Sequence, residues 1–181
     1  AWTDRLNENV MYPSGGVHGE RGVIVGAYVA GCVPTGKVTG VNARQMTDAP
    51  LKAYLLLGVE PELDMGNPRQ AVAEMKQAEL VVALSPFQHG ATEYANVLLP
   101  IAPFTETAGT FISSEGRVQT FAGVVKPLGE TRPAWKVLRV LANMLNLPGF
   151  AFESSQDVLA EMHKNNGGVP EFAPASALNN S

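Results

Sequence analysis

The feature that most constrains the fold is a strand–helix–strand pattern between residues 53 and 84 of this 181-residue chain. The runs "AYLLLGV" (53–59) and "LVVAL" (80–84) are short and almost continuously apolar, which is typical of strands covered on both faces. Between them, "NPRQAVAEMKQA" (67–78) begins with an N-capping asparagine and a proline at the first helical position. This spacing predicts a βαβ unit with parallel strands and a right-handed crossover.

The chain continues in short elements after residue 90. They are a helical turn capped by Thr92 and then a strand within 92–100, a β-hairpin over 109–121, a helix over 132–149 that Pro148 and Gly149 end, and a helix from Ser154 to near Gly167. Asp157 lies three residues after Ser154 and is the expected partner in a capping box.

Together these elements predict an α/β fold with three layers and a mostly parallel sheet built from βαβ units, with a β-hairpin and a helical N-terminal segment. "GERGVIVGAYVAGCV" (19–33) suits either a glycine-rich helix or two short strands, and we favour the helix because its small residues would share one face. We expect residues 1–25 to be a poorly defined segment, 26–167 the α/β domain and 168–181 a loose tail.

Composition and charge narrow the function classes. The net charge is −4 and the Lys and Arg residues are scattered, so nothing favours nucleic-acid binding. No apolar run approaches the roughly 20 residues that span a bilayer. The chain begins "AWTDRLNENV" without a signal-peptide pattern or Met, and we expect it to be a segment of a larger protein. The single Cys32 excludes an internal disulfide and a thiolate-held metal centre within the chain, which fits a reducing compartment.

"GCVPTGKV" (31–38) approaches the phosphate-binding pattern G-x-x-x-x-G-K-[ST] around Lys37. Val38 stands where a hydroxyl should ligate magnesium, and Pro34 removes one of the backbone N–H donors that would hold phosphates. We therefore favour the end of a helix followed by a Pro/Gly loop over a nucleotide triphosphatase site.

Ligands of parallel sheets usually bind beyond the carboxyl ends of the strands. Here those ends lead into "GVEPELD" (58–64) and "SPFQHG" (85–90). The first segment carries Glu60, Glu62 and Asp64, which would repel a pyrophosphate unless a metal ion or an arginine intervened. A carboxylate metal site is conceivable, but we favour an acidic, solvated loop.

Of the three histidines, His18, His89 and His163, only His89 follows a predicted strand at the ligand-binding edge. The three are too dispersed to suggest a metal site, and no G-x-S-x-G motif accompanies them. We therefore predict no catalytic, cofactor-binding or metal-ligating residue in this chain.

The hairpin segment "TETAGTFISSEGRVQTF" (105–121) concentrates polar groups around its tip. Gly116 can adopt the left-handed conformation that a tight hairpin requires. Arg117 can reach back to Glu115 or Glu106 with its planar guanidinium. Two interpretations remain open, an Arg–carboxylate clamp that holds the hairpin and an anchor for an anionic ligand or neighbouring domain.

The order of residues in the same region resembles the molybdopterin oxidoreductases, which carry T-E-x-A-D-V-x-L-P, then E-x-x-G-T-F-x-N-x-E-G-R-x-Q, then G-E-x-R-P-x-W. "AYLLLGVEPELDMGNP" and "PFTETAGTFISSEGRVQTFAGVVKPLGETRPAWKVLRVLANML" are most similar to the large iron–sulfur G subunits of bacterial NADH:quinone oxidoreductase, respiratory complex I. The likeness runs from about Gly26 to Phe150, with Asn96 in place of the usual Asp and Ser113 where Asn is common. The matching residues are Thr92, Glu93, Ala95, Leu99, Pro100, Glu106, Gly109, Thr110, Phe111, Glu115, Gly116, Arg117, Gln119, Gly129, Glu130, Arg132, Pro133 and Trp135.

The resemblance implies a scaffolding domain without a redox centre, within an enzyme that passes electrons from NADH to quinone. In molybdoenzymes this fold helps to bind molybdopterin guanine dinucleotide, whereas the complex I subunit has lost that cofactor, and the acidic segment 58–64 agrees with the loss. No cofactor is implied here, and iron–sulfur clusters are expected in the N-terminal part of the parent subunit. The alternative is a cofactor-binding domain of an active molybdopterin oxidoreductase.

The same resemblance implies partners and a location. The partners are the other subunits of the complex I peripheral arm and the N-terminal iron–sulfur part of the same subunit, with no nucleic acid and no membrane insertion. The expected location is the cytoplasmic face of the bacterial inner membrane.

Overall fold

The computed structural model describes residues 30, 43–49, 51–112 and 118–165. In these ranges the elements divide into a parallel sheet, an antiparallel hairpin and helices. The sheet contains β1 (Ala53–Leu57), β2 (Leu80–Ser85) and β3 (Val97–Pro100), and the hairpin contains β4 (Gly109–Ile112) and β5 (Val118–Phe121). The helices are α1 (Ala43–Asp48), α2 (Pro61–Asp64), α3 (Pro68–Gln77), α4 (Ala134–Met144) and α5 (Ser155–Asn165).

The sheet has the order β1-β2-β3 with all three strands parallel, so the predicted α/β fold and βαβ unit are confirmed. Tyr54 pairs with Val81, and Ala83 pairs with Leu98. Parallel pairing requires a crossover, which α3 provides between β1 and β2.

Helix α3 begins and packs as the sequence predicts. The Asn67 side chain accepts a hydrogen bond from the Gln70 N–H at 3.3 Å, and Pro68 is the first helical residue. Ala71 and Met75 are buried, and Met75 joins the core cluster on one face of the sheet. The other buried members of that cluster are Tyr54, Leu56, Val81, Ala83, Ala91 and Tyr94.

Asn96 fixes the entry into β3. Its Oδ1 accepts a hydrogen bond from the Val81 N–H at 2.6 Å, and its own N–H donates to the Val81 carbonyl at 2.9 Å. The family pattern has Asp at this position. The amide oxygen of Asn96 accepts the hydrogen bond from the Val81 N–H in its place, so the departure from the pattern leaves this contact intact.

The hairpin pairs β4 with β5 in antiparallel register, as predicted. The rings of Phe111 and Phe121 stack with centroids 5.0 Å apart. Gly109 lies under the Phe121 ring, and a Cβ at this position would come within 2.8 Å of the ring carbon Cζ. A residue larger than glycine would therefore push the ring out of its stack. The tip, with the predicted roles of Gly116 and Arg117, lies outside the described residues.

Two predicted boundaries were wrong. The helical turn is a short 3₁₀ helix over Gly90–Glu93 that begins after His89, and the Thr92 hydroxyl donates to the His89 carbonyl instead of capping the turn. Helix α4 ends at Met144, before Pro148, because Asn146 adopts a left-handed φ of 56°.

The opposite face of the sheet is only partly covered. Leu55, Val82 and Leu99 line an apolar cavity of about 520 Å³ together with Val140 and Met144 of α4. In the predicted apolar stripe of α4, Ala142 is buried but Leu145 is 61% exposed.

The predicted segment boundaries remain predictions, because residues 1–29, 31–42 and 166–181 fall outside what is described. In the described ranges, no helix combines the length and the apolar character needed to cross a bilayer.

Replacing Leu56 by alanine should lower the free energy of unfolding by about 2–5 kcal/mol, because the side chain is fully buried and its removal leaves a cavity. The matched control is Leu63→Ala, since Leu63 is 74% exposed and its loss should change stability by no more than about 0.5 kcal/mol. Urea unfolding of the chain measures both values. Equal effects would contradict the assigned core.

Candidate functional site

The carboxyl ends of β1 and β2 bring two loops together. β1 leaves the sheet at Gly58, whose N–H donates to the Leu84 carbonyl at 2.8 Å and whose φ of 59° turns the chain toward α2. β2 ends at the buried Ser85, whose hydroxyl accepts from the Phe87 N–H at 3.1 Å. The loops after the two strands therefore meet at the edge where parallel sheets usually bind ligands.

A three-residue network, Glu62–His89–Tyr94, fills this edge. The Glu62 Oε1 lies 2.9 Å from the Nδ1 of His89, and the Tyr94 hydroxyl donates to Glu62 Oε2 at 2.8 Å. The His89 side chain is only 8% exposed and that of Glu62 26%. Both oxygens of the carboxylate are thus held by neighbours from the second loop and from the segment that follows it.

The network keeps Glu62 ionised. Partial burial by itself would raise the pKa of Glu62, but hydrogen bonds from its own backbone N–H, from His89 and from Tyr94 outweigh burial, so the pKa lies below its ordinary value of 4.5. Burial raises the pKa of Tyr94, and so does its hydrogen bond to Glu62, so this hydroxyl stays protonated as the donor. The site therefore holds a negative charge at neutral pH.

The prediction of a solvated acidic loop was wrong. Residues 61–64 form the short helix α2, and Asp64 accepts a hydrogen bond from the Glu60 N–H at 2.7 Å. Glu60, Glu62 and Asp64 are each partly buried, since the buried Pro61 and Val59 hold the segment against the sheet. Two of these three carboxylates thus have specific structural partners.

The geometry also brings potential metal ligands together. One ligand atom from each of Glu60, Glu62 and His89 lies within 4.8 Å of the other two. The His89 Nδ1 and both oxygens of Glu62 already take part in hydrogen bonds, so an ion bound there would displace part of the network. The His89 Nε2 is buried and has no hydrogen-bond partner in the described part of the chain.

The other predicted residues lie elsewhere. His163 is near the end of α5, whereas His18, the segment 31–38 with Lys37, and the tip residues Glu115 and Arg117 lie outside the described residues. The Oε2 of Glu106 accepts a hydrogen bond from the backbone N–H of Leu128 at 2.9 Å, whereas its predicted pairing with Arg117 lies outside the described residues and stays a prediction.

Sequence reasoning missed the pairing of Glu62 with His89 and Tyr94. The contact between Glu62 and His89 could have been predicted, because the two residues follow neighbouring parallel strands at the same edge of the sheet. The contact of Tyr94 was harder to predict, because Tyr94 lies in the segment before β3 and its burial was not evident from periodicity.

Comparison with known proteins places the chain in a family. The family model described as molybdopterin oxidoreductase matches residues 5–144. The chain belongs to the molybdopterin oxidoreductase family. It is 32% identical over 136 residues, 73% of its length, to a probable oxidoreductase of Bacillus subtilis. It is 30% identical over 99 residues, 55% of its length, to a putative formate dehydrogenase of Staphylococcus aureus. It is 34% identical over 95 residues, 52% of its length, to the alpha subunit of an NADPH-Fe(3+) oxidoreductase of Geobacter sulfurreducens.

The matched region is a small part of each relative. It covers 14% of the Bacillus protein, 10% of the Staphylococcus protein and 11% of the Geobacter protein. The relatives described as oxidoreductases are therefore far longer than this chain.

We expect Glu62→Ala to destabilise the fold by about 1–3 kcal/mol at pH 7, because His89 and the Tyr94 hydroxyl lose their acceptor. The Glu62→Gln variant keeps an acceptor for Tyr94 but loses the charge. Since the native pKa is lowered, the charge stabilises the fold above pH 4.5 and the benefit disappears as the pH falls through the native pKa.

Urea unfolding between pH 3 and pH 7 should therefore show that the stability difference between wild type and Glu62→Gln becomes smaller as the pH falls. The control is Glu79→Gln, which removes an exposed ion pair with Lys52 and should have an effect of about 0–1 kcal/mol. A constant difference between wild type and Glu62→Gln at every pH would show that the carboxylate gains nothing from its partners.

Proposed function

We propose that this chain is the C-terminal, molybdopterin-oxidoreductase-like part of the large iron–sulfur G subunit of a bacterial NADH:quinone oxidoreductase. In this role it is a scaffold of the peripheral arm, on the cytoplasmic face of the inner membrane. The support from sequence is the ordered set of family residues from Thr92 to Trp135, together with the segments that most resemble the complex I subunit.

The observation that carries the proposal is the held carboxylate of Glu62. The family's cofactor, a pterin dinucleotide, carries a pyrophosphate, which needs N–H donors or cations at the carboxyl edge of a sheet. Segments 58–64 and 85–91 contain no Lys or Arg. They present an ionised Glu62 instead, so these residues do not fit an anionic dinucleotide.

Glycine packing supports the same conclusion. The Glu62 carboxylate lies so close to the backbone of Gly90 that a Cβ added to this glycine would overlap the Oε1 of Glu62. A glycine of this kind in a cofactor loop lets a phosphate approach the backbone. Here the protein's own carboxylate takes that position.

The redox chemistry of such an assembly would belong to other parts of it. One cysteine, Cys32, cannot hold an iron–sulfur cluster, which requires several thiolates. The clusters would lie in the N-terminal part of the parent subunit, and the chain would contribute packing surface and no reacting group.

A second candidate is a cofactor-binding domain of an active molybdopterin oxidoreductase. It is favoured by the relatives described as a putative formate dehydrogenase and as an NADPH-Fe(3+) oxidoreductase subunit. In that case the Glu62 side chain would have to leave His89 and Tyr94 when the dinucleotide binds.

Metal and nucleotide analysis of the full-length parent protein separates the two candidates. We expect elemental mass spectrometry and acid extraction to find iron but neither molybdenum, tungsten nor guanine nucleotide at stoichiometric levels. A molybdoenzyme purified from the same cells is the control for molybdenum supply. Deleting the gene should abolish NADH:quinone activity of the membranes, and the wild-type gene should restore it. Stoichiometric molybdenum with guanine nucleotide would establish the second candidate instead.

A further inference from the structure

An exposed group of large apolar side chains lies in the segments that flank the hairpin, outside the Glu62 network. We call it the apolar ledge and define it by Phe104, Val124, Val125 and Leu128, which are 68%, 83%, 58% and 78% exposed. Scattered single apolar residues are normal on a surface, whereas exposed apolar groups rimmed by polar residues are typical of interaction sites.

The backbone of the ledge is held in place. The N–H groups of Val124 and Val125 donate to the Thr105 carbonyl at 2.7 and 3.4 Å, and the Leu128 N–H donates to Glu106. At Gly123 a Cβ would lie 3.2 Å from the Glu106 backbone, so the two segments pack closely. The apolar side chains are thus presented on a fixed backbone, which lowers the entropy lost on binding.

A basic groove adjoins the ledge. Its volume is about 580 Å³, and its lining includes Lys126, Arg132, Trp135 and Lys136 against a single carboxylate, Glu106. The Glu106 carboxylate is engaged by Leu128, and the Arg132 guanidinium donates to the Thr131 carbonyl at 2.8 Å. In the part of the chain that is described, none of the three basic side chains forms an ion pair with a carboxylate.

We propose that the ledge and groove together dock an acidic surface segment of another protein, whose apolar residues cover the ledge and whose carboxylates reach the groove. The occupant is inferred from charge complementarity: the groove offers three basic groups without carboxylate partners, and an indole that suits an interface core. The inference rests on the proposed scaffolding role only for the identity of the partner.

Carbodiimide cross-linking of the full-length parent protein, purified in its native assembly, tests this contact. The reagent joins an amine to a carboxylate without a spacer, so only contacting pairs react. We expect mass spectrometry to find Lys126 or Lys136 linked to an Asp or Glu of a different protein. The Lys52–Glu79 pair, with N and O 3.1 Å apart, is the internal positive control.

Charge and apolar variants supply a second measurement. Lys126→Glu and Leu128→Glu should each weaken retention of the cross-linked partner by about tenfold or more, as at other interface centres. The controls are Lys164→Glu and Leu63→Glu, with similarly exposed side chains outside the ledge and groove, and they should stay within about twofold of wild type. Added salt should weaken wild-type retention more than that of Lys126→Glu.

A link to another subunit of NADH:quinone oxidoreductase supports both the docking surface and the proposed function. A link to an unrelated protein supports the docking surface and counts against the proposed function. Links only to this chain's own residues 1–42 or 166–181, links only to a second copy, or full reactivity of Lys126 as a free amine would each overturn the docking proposal, whatever the metal content of the protein.

Discussion

The carboxylate of Glu62 is the group on which the carboxyl edge of this domain depends. A partly buried charge is unfavourable unless hydrogen bonds or opposite charges compensate for lost hydration. Here the compensation comes from His89 and from Tyr94, which lie 27 and 32 residues further along the chain. One side chain therefore ties α2 to the loop after β2 and to the segment before β3.

That arrangement follows from the parallel sheet. Because β1, β2 and β3 run in the same direction, their carboxyl ends share an edge, and the loops after β1 and β2 contribute Glu62 and His89 to it. In the molybdopterin oxidoreductase family this edge suits a large anionic cofactor, but in this chain the space beside Gly90 is filled by a negative group. This negative group at the carboxyl edge is the feature on which the proposed scaffolding role is based.

Local signals predicted most of the fold. The apolar runs of β1 and β2, the Asn67 cap and the capping box at Ser154, where Asp157 accepts from the Ser154 N–H at 2.8 Å, are each encoded within a few residues. The end of α4 was mispredicted, because Asn146 takes the left-handed conformation before the conspicuous Pro148 is reached. The network around Glu62 escaped prediction because its partners meet only after the strands have paired, and Tyr94 is buried in a core cluster assembled from residues distant in the sequence.

The proposed scaffolding role requires that Glu62 remain ionised and hydrogen-bonded to His89 and Tyr94 when pyrophosphate is added. Carboxyl carbon NMR of labelled protein, recorded through an acid titration with and without added pyrophosphate, measures this directly. We predict a Glu62 midpoint below 4.5 that pyrophosphate leaves unchanged. A midpoint at or above 4.5, or a Glu62 resonance that shifts as pyrophosphate binds, would contradict the account.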